Sequence, residues 1–405
     1  MPPTSRYTVR TWMALAVLCL ASAVNLLQSA SISPLLPSIS ATFKAGDAAT
    51  GQLATLGSLA GFAFSLAAAP WIDRLSRRVW FRVLSVMVIA GMLLAAFAPS
   101  FPVLAVGRII AACGGSLIMA NCMTGARELF QDPAWRNRAI GFIVSASTLV
   151  FVVGLPVVTQ INAGFGWRIA MMAIAAPALL LLLGVALLPF SPVQSLPVRS
   201  SPFSAFGEAF GHARIRSLLI CLALFSAIYS GWFVFFGAYT TTVFSVSASV
   251  LSLLFFAAGT MQLVANNMAP VLMRRFDPIR IIVIAMLAVA STLLTTGILI
   301  VTVPGALFTA ASVLMGTGLS YIAANVLLLD SNARQPGAVM ALAGAAGALG
   351  GAFGPLISGG SLALTGSFEA AYRIVGLLAP VAIFAIWFGT RAATAPQPEI
   401  ADSPS

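Results

Sequence analysis

Residues 69–82 read Ala69-Pro70-Trp71-Ile72-Asp73-Arg74-Leu75-Ser76-Arg77-Arg78-Val79-Trp80-Phe81-Arg82, four arginines and one aspartate set between two long apolar runs. The run before it starts near residue 50 and the run after it reaches residue 98, each broken by almost no charge. Working outward, the same arrangement repeats along the chain. Runs of roughly 20 nearly uncharged residues recur about twelve times, and basic residues collect at every second boundary. A bilayer core about 30 Å thick takes about 20 helical residues to cross, so these runs predict an all-α membrane protein.

Composition agrees. The chain has 405 residues, 60% of them hydrophobic and 8% charged; soluble domains carry about 25% charged residues. The apolar runs are continuous, without the two-residue alternation of outer-membrane barrel strands. A net charge of +11 invites a nucleic-acid reading, but its distribution argues against one. Of the 21 basic residues, Lys44, Arg168 and Arg373 fall on one side of the predicted membrane and Arg108 falls inside a span. All others fall on the opposite side, which by the positive-inside rule is cytoplasmic and holds both termini.

The four cysteines, Cys19, Cys113, Cys122 and Cys221, lie in apolar spans at no metal-binding spacing, and His212 is the single histidine. No metal site and no cofactor are expected. The N-terminal apolar run is long enough to span, and Asn25 with Gln28 makes it unlike a signal peptide, so it reads as the first helix.

Twelve spans are predicted at roughly 11–33, 50–71, 80–98, 102–126, 138–161, 167–189, 217–239, 248–272, 279–302, 304–328, 336–360 and 370–390. They divide into a six-helix bundle over 1–189, a cytoplasmic loop over 190–216, a second six-helix bundle over 217–390 and a disordered cytoplasmic tail over 391–405. The halves echo each other about 200 residues apart. Ala69-Pro70 ends the second span and Ala269-Pro270 the eighth; Trp167-Arg168-Ile169 opens the sixth and Tyr372-Arg373-Ile374 the twelfth; Glu128 and Asp330 end the fourth and tenth. Matching landmarks in matching order indicate a duplicated unit, whose substrate site falls at the interface of the repeats.

The segment Asp73-Arg74-Leu75-Ser76-Arg77-Arg78 resembles the loop between spans two and three of the major facilitator superfamily, with Ala69 and Ser76 where glycines are usual. Arg108 in span four, Gly166-Trp167-Arg168, and Gly354-Pro355 with Gly359-Gly360 in span eleven extend the resemblance. It covers essentially the whole chain and looks most like the twelve-span drug/proton antiporter branch. It implies a latch of Asp73, Arg74, Arg77, Arg78 and Glu128: the aspartate meets the N-terminus of helix eleven and the arginine pairs with the helix-four acid. Such a latch closes the cytoplasmic side. The alternative is that these residues are interfacial anchors. Met273 stands where the second half would carry its own aspartate.

Arg108 lies six residues past Pro102, about 9 Å along a helix. A cation there either faces a cavity, tuning coupling or binding an anionic group, or snorkels to the outer interface. No Asp or Glu falls deep within any span, so proton coupling would have to run through Glu128, Asp330 and Arg108; uniport and exchange stay open. The resemblance favours Asn25, Gln28, Asn121, Tyr229, Tyr321 and Asn325 as cavity residues, and Trp232 joins them within an aromatic cluster with Phe233, Phe235 and Phe236. Helical spacing turns part of that cluster toward lipid. Gln262 and Asn266 are further polar candidates; for each of these residues the alternative is interhelical hydrogen bonding. Gly350, Gly351, Gly354 and Pro355 read as close helix packing and a gate. No phosphate loop follows these glycines, and no nucleophile, paired acids or metal ligands support an intramembrane enzyme.

The expected function is a secondary active transporter of a small molecule, foremost a proton-driven efflux antiporter for drugs or amphiphiles. An exporter of a sugar, amino acid or nucleoside is the alternative, and a channel or receptor on the same fold is the reading from another class. Expected partners are the substrate, protons and membrane lipid, without nucleic acid, and a monomer suffices.

Overall fold

A computed structural model describes residues 7–72, 75–188, 212–298, 301–329 and 336–394. Asp73, Arg74, Asp330, most of the central loop and the tail beyond residue 394 lie outside these. Every regular element among the described residues is helical. Inside hydrocarbon each backbone N–H and C=O must find its partner within its own segment, so an apolar run of this length has the helix as its solution.

The helices, in order, are α1 (Val9–Phe43), α2 (Asp47–Ile72), α3 (Arg77–Ala96), α4 (Phe101–Leu129), α5 (Pro133–Phe165), α6 (Trp167–Gly184), α7 (Ala213–Val243), α8 (Ala248–Arg275), α9 (Pro278–Leu294), α10 (Val303–Leu329), α11 (Pro336–Thr365) and α12, in two pieces (Phe368–Gly376 and Leu378–Thr394). Among the described residues, eleven are long and apolar enough to cross a membrane; α9 is apolar but shorter, at 17 residues. Starts are set locally. Asp132 and Asp277 each cap a helix whose first residue is proline, accepting from the N–H of Ala134 and Ile279, and Ser76, Ser247 and Ser367 cap α3, α8 and α12. Each side chain satisfies one donor that the first turn leaves free.

Two boundaries differ most from expectation. The first helix continues through Pro34 and Pro37 to Phe43, ten residues past its predicted end. The ninth stops at Leu294 instead of residue 302, where Gly297 at φ 76° turns the chain and Arg373 takes up the Thr296 carbonyl. Three helices break where a proline four residues on removes a donor and crowds a carbonyl. α1 is interrupted at Ser31, after Ala30 and before Pro34. α12 is interrupted at Leu377, after Gly376 and before Pro380. α5 absorbs Pro156 in a π-helical turn over Val150–Gly154, a familiar local remedy. α4 breaks at Leu117, after Gly114-Gly115-Ser116.

Within residues 9–188, Gly91 and Gly107 bring the α3 and α4 backbones together: a β-carbon on either would strike the other helix's main chain. Gly316 does the same for α10 against Ala285 and Val289 of α9. Residues 9–188 and 213–394 meet through α1 against α7, α2 against α11 and α5 against α8.

Candidate functional site

Three groups of polar and small residues stand out against the apolar background. The first lies at the end of the bundle nearest the termini. Arg77 opens α3 and is 7% exposed. Its Nε donates to Glu128 Oε1 at 3.3 Å and its Nη1 to Asn121 Oδ1 at 3.2 Å. Asn121 and Glu128 sit two turns apart on the last part of α4, hence on one face. Beside them, the Arg78 guanidinium donates to the carbonyl of Leu188, just past α6. The Glu128 side chain is 40% exposed, so solvent weakens the ion pair itself; the buried bond from Arg77 to Asn121 is the firmer tie, and bonds to charged groups contribute about 1.5–3 kcal/mol. The expected meeting of Arg77 and Glu128 is therefore present, while Asp73 and Arg74 lie outside the described residues. Asn121 is placed differently from the sequence expectation. It is fully buried in this network, its Nδ2 donating to Leu117 O at 2.9 Å, because Arg77 claims the oxygen that would otherwise face a ligand.

The second group surrounds Arg108, which is 4% exposed. Its Nη2 donates to the carbonyl of Gln28 at 2.7 Å, and its Nη1 lies 3.3 Å from the sulfur of Met92. The Gln28 carbonyl is among the last four of the α1 segment ending at Ala30, which lack a backbone N–H partner within that segment, and it also accepts from the Ser31 hydroxyl at 3.1 Å. The break at Ser31 thus creates the acceptor that holds the cation, and a cation at a helix C-terminus is also favoured by the helix dipole. Arg108 is enclosed by helices. Asn25 and Gln28 close around Gly115 of α4, where a β-carbon would meet both amide side chains. Arg108 Nε and Gln28 Oε1 are buried without a partner among the described residues.

The third group belongs to residues 213–394. The aromatic cluster of α7 is turned wholly inward: Trp232, Phe233, Phe235 and Phe236 are at most 4% exposed. This corrects the expectation that some would face lipid, since α7 is enclosed by α1, α10, α11 and α12. Trp232 packs on Phe236, ring centroids 4.7 Å apart, and forms part of the core instead of an open surface. Tyr229 stacks on Phe233 at 5.5 Å with nearly parallel rings, and Phe151 of α5 meets Phe233 edge-on. On α10, Tyr321 is 39% exposed, and Asn325 donates to the Tyr321 carbonyl at 2.8 Å. On α8, Gln262 and Asn266 lie beside Gly318 of α10, and Asn266 is 3.5 Å from Thr148 of α5.

Gly350 and Gly354 of α11 pack that helix onto α7. A β-carbon on Gly350 would strike the Ala223 carbonyl, and one on Gly354 the Ala227 carbonyl and the Gly231 N–H. Gly351 faces the hydroxyls of Ser226 and Ser58. The Pro355 carbonyl accepts from Gln52 at 3.1 Å and the Ala352 carbonyl from Thr55 at 3.2 Å. With these two, Gln160 to Ser252 and the Gly237 N–H to Ser33 tie the halves together. All four sit toward the end away from the termini, and among the described residues no hydrogen bond between the halves lies nearer the termini than Asn266 to Thr148. Sequence reading missed this seam. Its signal was the single amides Gln52 and Gln160 in otherwise apolar runs.

Residues 18–355 match the Major Facilitator Superfamily. A chloramphenicol efflux pump of Mycobacterium tuberculosis is 28% identical over 330 residues, covering 78% of this chain and 76% of the pump. The multidrug efflux pump LfrA of Mycolicibacterium smegmatis is 30% identical over 192 residues, 47% of this chain and 38% of LfrA. Among solved structures, a D-xylose–proton symporter superposes with a TM-score of 0.74 at 19% identity, over 93% of this chain and 97% of the symporter. Long apolar helices, a seam between two helical groups and a match over most of the sequence converge: this chain is a multi-pass membrane protein that belongs to the major facilitator superfamily.

Proposed function

We propose that this protein is a secondary active efflux transporter of the plasma membrane that moves small amphiphilic drugs by alternating access. In this reading the chain crosses the membrane twelve times with both termini cytoplasmic, and the bundles of residues 1–189 and 217–390 rock against each other. One observation carries the proposal: the halves are hydrogen-bonded to each other at the end away from the termini, while charged side chains gather at the other end. In this reading the arrangement supports a state closed on the outer side. It speaks against a fixed channel, which needs no seam on one side. The drug-pump identities of the relatives support export.

Arg77, Arg78 and Glu128, with Asp73 and Arg74, would form the latch that closes the cytoplasmic side in the opposite state. Gly350, Gly351, Gly354 and Pro355 would let α11 slide on α7 and α2 as the halves rock. Arg108, held on the Gln28 carbonyl, would couple movement of the α1 break to the ion or substrate. The test is accumulation of fluorescent amphiphiles in an efflux-deficient bacterium expressing the chain, with and without a protonophore, beside Arg108→Ala. Lower accumulation that the protonophore reverses, and that the variant loses, is the expected result. Export that persists with the protonophore present would replace proton coupling with exchange. No export across the panel would refute drug efflux and turn the search to sugars, amino acids and nucleosides.

A further inference from the structure

The charge inside the helices is of one sign. Arg108 is buried in α4, whereas Asp47, Glu128, Asp132, Asp277 and Glu369 stand at helix ends, and Asp73 and Asp330 follow the last residues of α2 and α10. A cationic ligand at mid-helix depth would find no carboxylate to offset its lost hydration, and that cost is large in a low-dielectric site. What the same depth does offer is carboxamide and hydroxyl groups.

They converge between α8, α10 and α5. Gln262 and Asn266 are one turn apart on α8, and Gly318 of α10 gives them room: a β-carbon there would lie 3.2 Å from Asn266 Oδ1 and 4.0 Å from Gln262 Nε2. Asn266 Nδ2 reaches Thr148 Oγ1 on α5 only at 3.5 Å, the long limit of a hydrogen bond, and Gln262 Oε1 is buried without a partner among the described residues. Gly318, Tyr321 and Asn325 share one face of α10 by their spacing of three and four. That face is turned inward, since Gly316, on the other side of the helix, seats α10 on α9, and α7, α8 and α11 pack around the rest. An orphaned amide oxygen, a stretched amide bond and a part-exposed tyrosine form a set of groups that a ligand with its own donors and acceptors would complete.

We infer that Gln262 and Asn266, beside Gly318 of α10 and with Tyr321 one turn further along that helix, recognise an uncharged hydrogen-bonding group such as an amide or hydroxyl, and that the transporter selects neutral amphiphiles over cations. This rests on the efflux reading and names its substrate class. The pair also spans the seam, because Asn266 touches Thr148 of the other half, so a ligand bound there would bear on the contact that rocking must break.

The test uses the full chain in an efflux-deficient bacterium, with chloramphenicol as the neutral probe and ethidium as the cation. Binding of chloramphenicol to the purified protein is measured alongside, with thermal unfolding as the check on folding. The expected result is export of chloramphenicol but not ethidium, and up to about tenfold weaker chloramphenicol binding in Gln262→Met and Asn266→Leu, the effect of one lost hydrogen bond. Should either variant fail to fold, Gln262→Glu decides, because a carboxylate at that point should admit ethidium; a folded Gln262→Glu that still excludes it would overturn the inference. Export of both probes by the unaltered chain, or undiminished chloramphenicol binding in folded Gln262→Met and Asn266→Leu, would overturn the substrate class and leave efflux standing. Export of neither probe would overturn both.

Discussion

Asn121 on α4 and Asn325 on α10 sit at matching points of the two halves and begin by doing the same thing. Each donates its side-chain amide to the carbonyl one turn back, Leu117 at 2.9 Å and Tyr321 at 2.8 Å. There the likeness ends. Asn121 is sealed from solvent and bonded to Arg77, which also holds Glu128. Asn325 lies beside a part-exposed tyrosine, and Arg280, near the start of α9 as Arg77 is at the start of α3, is exposed to solvent. The first asparagine is bound into a polar network between helices; the second bonds within its own helix. At the far end the halves stay alike. Arg168 donates to the Ala98 carbonyl at 2.9 Å, and Arg373 reaches the Thr296 carbonyl at 2.8 Å, each cation fastening the end of its half's third helix. The two groups of helices thus share this fastening and differ in the partners of their asparagines.

The largest effect tests the scaffold itself. Gly354→Leu must push α11 off the α7 backbone, and the expected outcome is loss of folded protein from the membrane fraction, read by fluorescence-detected gel filtration. Gly360→Ala, where a β-carbon meets open space, should be silent; equal damage from both would remove the packing argument.

Next comes the asymmetry between the asparagines. Arg77→Ala strands Asn121 and Glu128 and should cost about 2 kcal/mol, lowering the unfolding midpoint and abolishing transport, whereas Arg280→Ala should stay within about 0.5 kcal/mol, as exposed substitutions generally do. Comparable losses would mean that the second half carries a lock of its own. The paired fastenings sharpen the other side of the comparison. Arg168→Ala and Arg373→Ala should each cost about 1–2 kcal/mol and should match each other, whereas a loss confined to one would break the likeness of the halves. The smallest effect on stability belongs to Asn325→Leu, whose side chain, among the described residues, bonds within its own helix. A change within about 0.5 kcal/mol, accompanied by an altered transport rate, is expected in paired melting and efflux assays, and a large drop in the melting temperature would give Asn325 the structural role of Asn121.

Much of this was legible in the chain. Apolar run length marked the helices, because a bilayer admits few other solutions, and the Trp167-Arg168 and Tyr372-Arg373 landmarks correctly paired two positions with one job. The pairing of Arg77 with Glu128 followed from a resemblance in six residues. Boundaries governed by a single proline or glycine were less legible. Proline in a long apolar run can end a helix, interrupt it or be absorbed, and α1 is interrupted at Ser31 and continues to Phe43. Least legible were the orientations of α7 and Asn121. A uniformly apolar helix has no periodicity to say which face meets lipid, and an asparagine's partner can lie forty residues away.

The sequence by itself determined that the chain lies in a membrane, where its helices run, and that no carboxylate is buried at their centres, because hydrophobic length and charge position are properties read one residue at a time. Only the tertiary structure decided which polar groups meet. That the α1 break presents a carbonyl to Arg108, that Trp232 is core, and that Gln262 and Asn266 face Gly318 all depend on contacts between helices far apart in the chain, and such contacts are chosen by packing over the whole bundle.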